Sequence, residues 1–515
     1  MRCNVLSGLL SRGLRRSSVA ACCAAVLAPV VAAQGPLTLE LRGGSYPGSL
    51  DVEVHPGRVF DTMLLAMGVD SGPTPLSLLD PADPRSVQVG LNGIQLFFGF
   101  FGIDQRASIH LTVPTLPGLL DVPLFFQALT PGGVATFVDE VSPPGAVRFA
   151  PAGTWRDRGV FTADERSFAR MLPRADGRWM IVGGGSGALF AQIARQDCEI
   201  YDDMTDAFVA GPVMTQARSL HTATLLADGR WLLVGGVNAI NDPQVECEVY
   251  DPATDQFTAV APMATPRIGH SATLLSDGRV FVAGGLTVVT LVPSPLTTLF
   301  SATDLTEIYD PVAGTWTPGP NLLTPRAGHI AVPRPNGTLL MAGGISWDPV
   351  PLLPTIRATT DVVAPLAGTV VAGPSMAAAR ALIDPIDLGG DRWLLAGGID
   401  ATGVSGATAE VYDAVANTWT AAGSMAAARS NHVAAPLGGG RWLVAGGADG
   451  TILAPVPLAS VEIYDAVANS WSPGPSLSIP RTAAGSLITP RGTLHLVSGG
   501  TSNGALTRTS EWFHF

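Results

Sequence analysis

From residue 166 onward one rhythm of apolar and polar positions recurs along the chain. In the segment 266–320, Pro266-Arg267-Ile268-Gly269-His270 leads into Ser271-Ala272-Thr273-Leu274-Leu275, a run of strand length. Asp277-Gly278 is a two-residue hairpin signal. Val280-Phe281-Val282-Ala283 reads as a second strand, closed by Gly284-Gly285. After a loop, Thr306-Glu307-Ile308-Tyr309-Asp310 reads as a third. Pro311 and Gly314 turn the chain, and Thr315-Trp316-Thr317 is a fourth. The pattern predicts four antiparallel strands per repeat.

The doublets count the repeats: Gly183-Gly184, Gly235-Gly236, Gly284-Gly285, Gly343-Gly344, Gly397-Gly398, Gly446-Gly447 and Gly499-Gly500. Their first glycines are spaced by 52, 49, 59, 54, 49 and 53 residues. A period near 50 belongs to β-propeller arrays. The hairpin position holds Asp176-Gly177, Asp228-Gly229, Asn336-Gly337, Gly390-Asp391, Gly439-Gly440 and Arg491-Gly492 in the other repeats. The third strand carries Tyr201, Tyr250, Tyr309, Tyr412 and Tyr464, with Val363 in a degenerate fourth repeat. The outer-strand aromatic is Phe208, Phe257, Trp316, Trp419 or Trp471, and Val370 in the degenerate repeat. The last repeat stops at a third strand, 510–515, while Gly153-Thr154-Trp155 matches Gly314-Thr315-Trp316. The upstream segment is therefore expected to complete the last blade, leaving no open sheet edge.

An Arg before the first strand, the doublet, an acid two residues before the Tyr position and then an aromatic recur over 154–515. This pattern resembles the kelch repeat. The resemblance implies an all-β chain with a seven-bladed kelch-like β-propeller over 146–515, its blade seven closed by 153–157. Residues 34–145 lack the doublet period. Leu37–Leu41, Leu50–Val54, Ser86–Leu91, Ile94–Phe98, Ser108–Val113, Val122–Ala128 and Ala135–Val141 read as short strands between turns, as in a small immunoglobulin-like β-sandwich. Ser142-Pro143-Pro144-Gly145 is the expected linker.

Composition narrows the function. All 30 basic residues are Arg, which removes lysine chemistry. A net charge of -12 disfavours nucleic acid and anionic membranes as partners. Arg2, Arg12, Arg15 and Arg16 precede an Ala-rich apolar stretch to Ala33, so residues 1–33 read as a signal peptide and the protein as exported. Its destination is then periplasmic, cell-surface or extracellular. No later run is long enough to span a membrane. Cys198 and Cys247 occupy equivalent positions of adjacent repeats, too far apart for a disulfide, and are expected as buried free thiols.

Three groups of residues carry candidate chemistry. The Arg series is Arg166, Arg218, Arg267, Arg326, Arg380, Arg429 and Arg481. Of these Arg218, Arg267, Arg326, Arg380 and Arg429 are candidate ligand-binding residues, able to pair a carboxylate bidentately. Each repeat also holds an acid, Glu199, Glu248, Glu307, Asp361, Glu410, Glu462 or Glu511, so the same arginines suit internal ion pairs. His221, His270, His329 and His432 start first strands and suit either a metal or a structural hydrogen bond. The loops 286–305 and 345–358 are long, apolar and Pro-rich, with Phe300 and Trp347 as candidate contacts.

The function expected from these residues is non-catalytic recognition of a protein or glycan through the face bearing the Arg series and those loops. No cofactor or metal is expected. The alternative class is a carbohydrate-active enzyme, since the kelch resemblance extends to sugar-acid mutarotases and to galactose oxidase. The oxidase chemistry uses copper held by two Tyr, one cross-linked to Cys, and two His; here five of the six tyrosines belong to blade positions and only Tyr46 does not.

Overall fold

The computed structural model describes residues 38–514, except 44, 47, 56–61, 69–73, 76–85, 88–94, 102–105, 114–122, 132–137, 142–144, 149, 152, 175, 177, 187–192, 203, 204, 206, 291–297, 348–353, 489–492 and 502–504. The signal-peptide reading and most of the linker reading thus lie outside the described residues. The described chain is all-β. No helix in it is long and apolar enough to cross a membrane.

Upstream of the repeats, Thr38–Gly43, Gly48–His55 and Ala107–Val113 form a three-stranded antiparallel sheet. A second sheet orders Val138–Val141, Pro123–Pro131, Thr62–Gly68 and Gln95–Phe100, with Gly145–Arg148 also on Pro123–Pro131. Leu41, Leu50, Val52 and Val54 of one sheet share a core with Met63, Leu65, Phe126 and Ala128 of the other. The central strand Thr62–Gly68 is absent from the sequence reading. Its run Met63-Leu64-Leu65-Ala66-Met67 has no apolar–polar alternation and no β-branched residue, the two signals that mark a strand.

Among the described residues of the repeat region, seven four-stranded antiparallel sheets follow one another. The closing one takes its outer strand, Thr154–Phe161, from the upstream side and the other three, Gly485–Ile488, Thr493–Val497 and Thr509–His514, from the last repeat. Thr154 faces His514 and Asp157 faces Glu511. Trp155 stacks 5.0 Å from Phe513 and donates its indole N–H to Pro475 O of the preceding sheet at 2.9 Å. Trp316 and Trp419 do the same to Ala261 O and Pro374 O, both at 2.7 Å. Each of these tryptophans therefore packs on its own blade and ties it to the one before.

Apolar contact between sheets supplies the core. Leu232, Val234, Cys247 and Val249 of one sheet pack with Val280, Val282 and Tyr309 of the next. The doublets add a second tie. Gly184, Gly236, Gly285, Gly344, Gly398 and Gly447 each donate N–H to the carbonyl of the next repeat's Arg at 2.8–3.0 Å, and Gly499 closes the circuit on Arg166 O at 2.9 Å. Gly285 shows why the position needs glycine: φ is +105° and a Cβ would sit 2.9 Å from Ile268 O. In the last repeat the structural pair is Ser498-Gly499, one residue before the Gly499-Gly500 doublet read from the sequence. Ser498 takes φ +57° and its carbonyl accepts from Arg481, seventeen residues before it, as the first glycine does elsewhere.

The two long loops begin and end as β-hairpins, Leu286–Thr290 with Thr298–Ala302 and Ile345–Trp347 with Pro354–Ile356. Their bases are core. Leu286 and Ala302 pack with Val237, Ile268 and Ala327, and Ile345 and Ile356 with Ala381 and Ile399. Deleting 345–358 whole therefore removes buried surface. Its expected cost is about 2–5 kcal/mol for each of the two isoleucines lost, read as a lower urea midpoint.

Candidate functional site

The Arg series lies beneath the doublet face, not on it. Arg218, Arg267, Arg326 and Arg429 have no exposed surface, and Arg380 has 1%. Arg267 is typical. Its guanidinium donates to Gly284 O at 2.8 Å and Leu305 O at 2.9 Å, and bonds Glu307 at 2.7 Å. Glu307 in turn accepts the N–H of Ala264 at 2.7 Å and Thr265 at 3.2 Å. Arg218–Glu248, Arg380–Glu410 and Arg429–Glu462 repeat the pair at 2.7–2.8 Å. Burial lowers the Arg267, Arg326 and Arg429 pKa values from the ordinary guanidinium value, with the acid opposing the shift. The ligand-binding assignment of Arg218, Arg267, Arg326, Arg380 and Arg429 is corrected on this ground. Each guanidinium is buried beside a carboxylate of its own blade, and a buried charge must keep its partner.

The histidines are also internal to the scaffold. His270 Nε2 bonds Thr222 Oγ1 and His329 Nε2 bonds Ser271 Oγ, both at 2.9 Å and both across a blade boundary. His221 has no such hydroxyl, because the equivalent residue of the preceding repeat is Arg170; neither of its ring nitrogens has a partner. Desolvation, then the neighbouring arginine, lowers all four pKa values, to about 3 for His329 and His432. For His329 and His432 the unfolded chain takes up the proton near pH 6.5 and the folded one only near pH 3. Stability from this source is present above pH 6.5 and is lost as pH falls through that window. The expected slope is on the order of 1 kcal/mol per histidine per pH unit. Urea midpoints between pH 7 and 4 should fall, and less steeply in His329→Gln.

Two residues after each Arg, the backbone turns left-handed in all seven repeats: Phe168, Leu220, Gly269, Gly328, Leu382, Asn431 and Ala483 have φ of 49–60°. Six of these residues, all but Leu220, are linked by backbone hydrogen bonds around the channel. Phe168 donates N–H to Ala483 O, Ala483 to Asn431 O, Asn431 to Leu382 O, Leu382 to Gly328 O and Gly328 to Gly269 O, at 2.7–3.1 Å. The left-handed conformation costs roughly 1–2 kcal/mol for a non-glycine residue, and the ring of hydrogen bonds offsets it.

Below this ring lies a cavity of about 880 Å³. Its wall includes the seven ring residues and the innermost strands Ile386–Gly389 and Val433–Gly438. Arg170, Asp384, Asp387 and Ser486 also line it. Arg170 and Asp384 occupy one repeat position, four after the Arg, which holds Thr222, Ser271, Ile330, Val433 and Gly485 elsewhere. Sequence reasoning missed this departure from uniformity, which was its own signal for a site.

The doublet face above the ring presents apolar side chains on the loops between second and third strands. Ile193, Ile240, Leu453 and Val456 are 60–77% exposed. Phe300 and Trp347 lie on hairpin strands of this face, and their side chains are outside the described residues.

A copper–tyrosyl arrangement does not fit the described residues. Tyr250, Tyr309, Tyr412 and Tyr464 each stack at 4.9–5.0 Å on their own blade's Phe or Trp. Cys198 and Cys247 are buried free thiols, and burial pushes the Cys247 pKa up to about 12. Among the described residues no three His, Cys, Asp or Glu side chains group to hold a metal.

Antiparallel four-stranded sheets joined in a closed circuit around a channel define a β-propeller. The kelch motif profile matches residues 429–478, and the chain is similar to kelch-repeat propellers. A solved fungal alcohol oxidase of the AA5 family, in complex with copper, is similar in fold, with TM-score 0.53 at 16% identity over 70% of this chain and 76% of that one. YjhT matches with TM-score 0.44 at 15% identity over 58% of this chain and 95% of that one. No curated protein matches the sequence.

Proposed function

We propose that this protein is an exported, non-catalytic binding protein that recognises a protein partner through its doublet face. The observation that carries the reading is the set Ile193, Ile240, Leu453 and Val456, exposed on loops of the first, second and sixth repeats around one face. Large aliphatic side chains held out on short loops over a rigid scaffold suit an interface core. The two hairpins 286–302 and 345–356 extend the same face, with bases anchored in the core. Asp242, Asp400 and Asp449 lie on loops of this face and supply a polar, acidic rim. The arginines beneath contribute rigidity and not contact. Residues 34–145 are an accessory domain in this reading.

The test is affinity capture from extract of the source cells with the full chain and with the variant Ile193→Asp, Ile240→Asp, Leu453→Asp, Val456→Asp. The variant is expected to keep its thermal midpoint, because all four side chains are exposed, and to lose the captured protein. Retention of the same partner by the variant would overturn the reading.

A further inference from the structure

The channel cavity lies beneath the left-handed ring. Above, the left-handed ring narrows the channel, and Leu220 and Leu382 of that ring pack upward against the hairpin bases. No hairpin residue lines the cavity. Its wall instead runs down to Leu388, Gly389 and Pro436, beside the turns between first and second strands. The cavity reaches toward that turn face, opposite the doublet face.

Three charged side chains of the wall are left over by the scaffold. Arg170 donates Nε to His221 O at 3.0 Å, and its two terminal nitrogens meet no acceptor among the described residues. Asp384 has no hydrogen-bond partner and no cation among the described residues, and Asp387 accepts only the N–H of Gly389, at 2.8 Å. The arginines of the Arg series, by contrast, all carry a carboxylate partner. The cation and the two acids stand on opposite walls. Three steps of the ring, Phe168 to Ala483 to Asn431 to Leu382, separate the strand of Arg170 from that of Asp384. Neighbours bonded at about 5 Å in a seven-membered ring make that chord roughly 11 Å.

From this we infer that the cavity binds a short peptide with free ends, its carboxylate on Arg170 and its ammonium group on Asp384 and Asp387. The backbone decides the class. The innermost strand of each blade is a sheet edge, so the unpaired N–H and C=O groups of Ile386–Gly389 and Val433–Gly438 face the channel. A peptide main chain can pair with such an edge, and a terminal carboxylate and amine are captured by charge. A di- or tripeptide carries its ends roughly 7–10 Å apart at about 3.5 Å per residue, which suits the chord. A cavity of about 880 Å³ admits it with water.

The experiment is calorimetric titration of the full chain with tri-alanine, with N-acetyl-tri-alanine, with tri-alanine amide and with glucuronate. Tri-alanine is expected to bind, and blocking either end to weaken it about tenfold or more, the worth of one charge-assisted contact. Arg170→Gln should bind tri-alanine as weakly as the wild type binds the amide. Asp384→Asn with Asp387→Asn should reproduce the effect of acetylation. Both variants should keep the unliganded thermal midpoint, since these side chains are exposed. No heat with tri-alanine, equal binding of the blocked peptides, or binding of glucuronate alone would each overturn the inference. The variant Ile193→Asp, Ile240→Asp, Leu453→Asp, Val456→Asp should bind tri-alanine unchanged, so this inference and the proposed function fail separately.

Discussion

Arg267→Ala should lower the stability of the folded protein by about 3–5 kcal/mol, without any ligand present. The guanidinium is fully buried and holds together three backbone segments. It reaches Gly284 O at the doublet, Leu305 O before the third strand, and Glu307, which fixes Ala264 and Thr265. Removing it orphans Gly284 O, since Leu305 O keeps the Gly284 N–H at 3.2 Å, and leaves Glu307 buried without its cation. Arg267→Lys should recover only part of the loss, because one ammonium cannot replace a planar fork. The fourth repeat offers the converse. Asp361, one methylene shorter than the usual Glu, reaches Arg326 at 3.1 Å, and Arg326 Nε and Nη2 lack hydrogen bonds. Asp361→Glu is expected to stabilise by about 1 kcal/mol. Urea denaturation of the three variants decides the matter. An unchanged midpoint for Arg267→Ala would show the arginine to be dispensable to the scaffold and would reopen it as a ligand group.

Removing residues 509–515 should abolish the cooperative unfolding transition. Thr509–His514 is hydrogen-bonded on both sides, to Thr493–Val497 and to Thr154–Phe161. Its loss leaves Thr154–Phe161 without a partner. Arg481 loses Glu511, which alone costs about 3–5 kcal/mol. Trp512 and Phe513 leave two cores, at about 3–5 kcal/mol each. The sum reaches the whole of a typical folding stability of about 5–15 kcal/mol. Circular dichroism on heating and limited proteolysis would report it. A sharp transition within a few degrees of the intact protein would mean that the ring does not depend on this strand.

The repeat region was legible because each blade spells out its strands and turns. The arginines and acids were legible as a matched set, but their depth was not. Seven Arg before seven strands suit a binding face or a buried seam equally until burial is known. The channel ring was hidden for a different reason. Phe168, Leu220, Leu382 and Ala483 are residues that ordinarily avoid positive φ, so nothing in their identity announces a left-handed turn; for Phe168, Leu382 and Ala483 the ring hydrogen bonds offset its cost. Thr62–Gly68 was missed because a strand covered on both faces need not alternate. The cavity residues were readable in principle. Aligning the position of Arg170 down the repeats exposes Arg170 and Asp384 as its only charged occupants.

The closing sheet also sets how the molecule bears load. Thr154 lies opposite His514, so the chain enters and leaves this strand pair at the same end. Tension between the upstream sheets and the end of the last strand would open the pair like a zipper, one hydrogen bond at a time. A shearing geometry would strain all of them together. The propeller is thus sealed thermally by a strand that is mechanically its weakest point, and stretching should breach the ring there first.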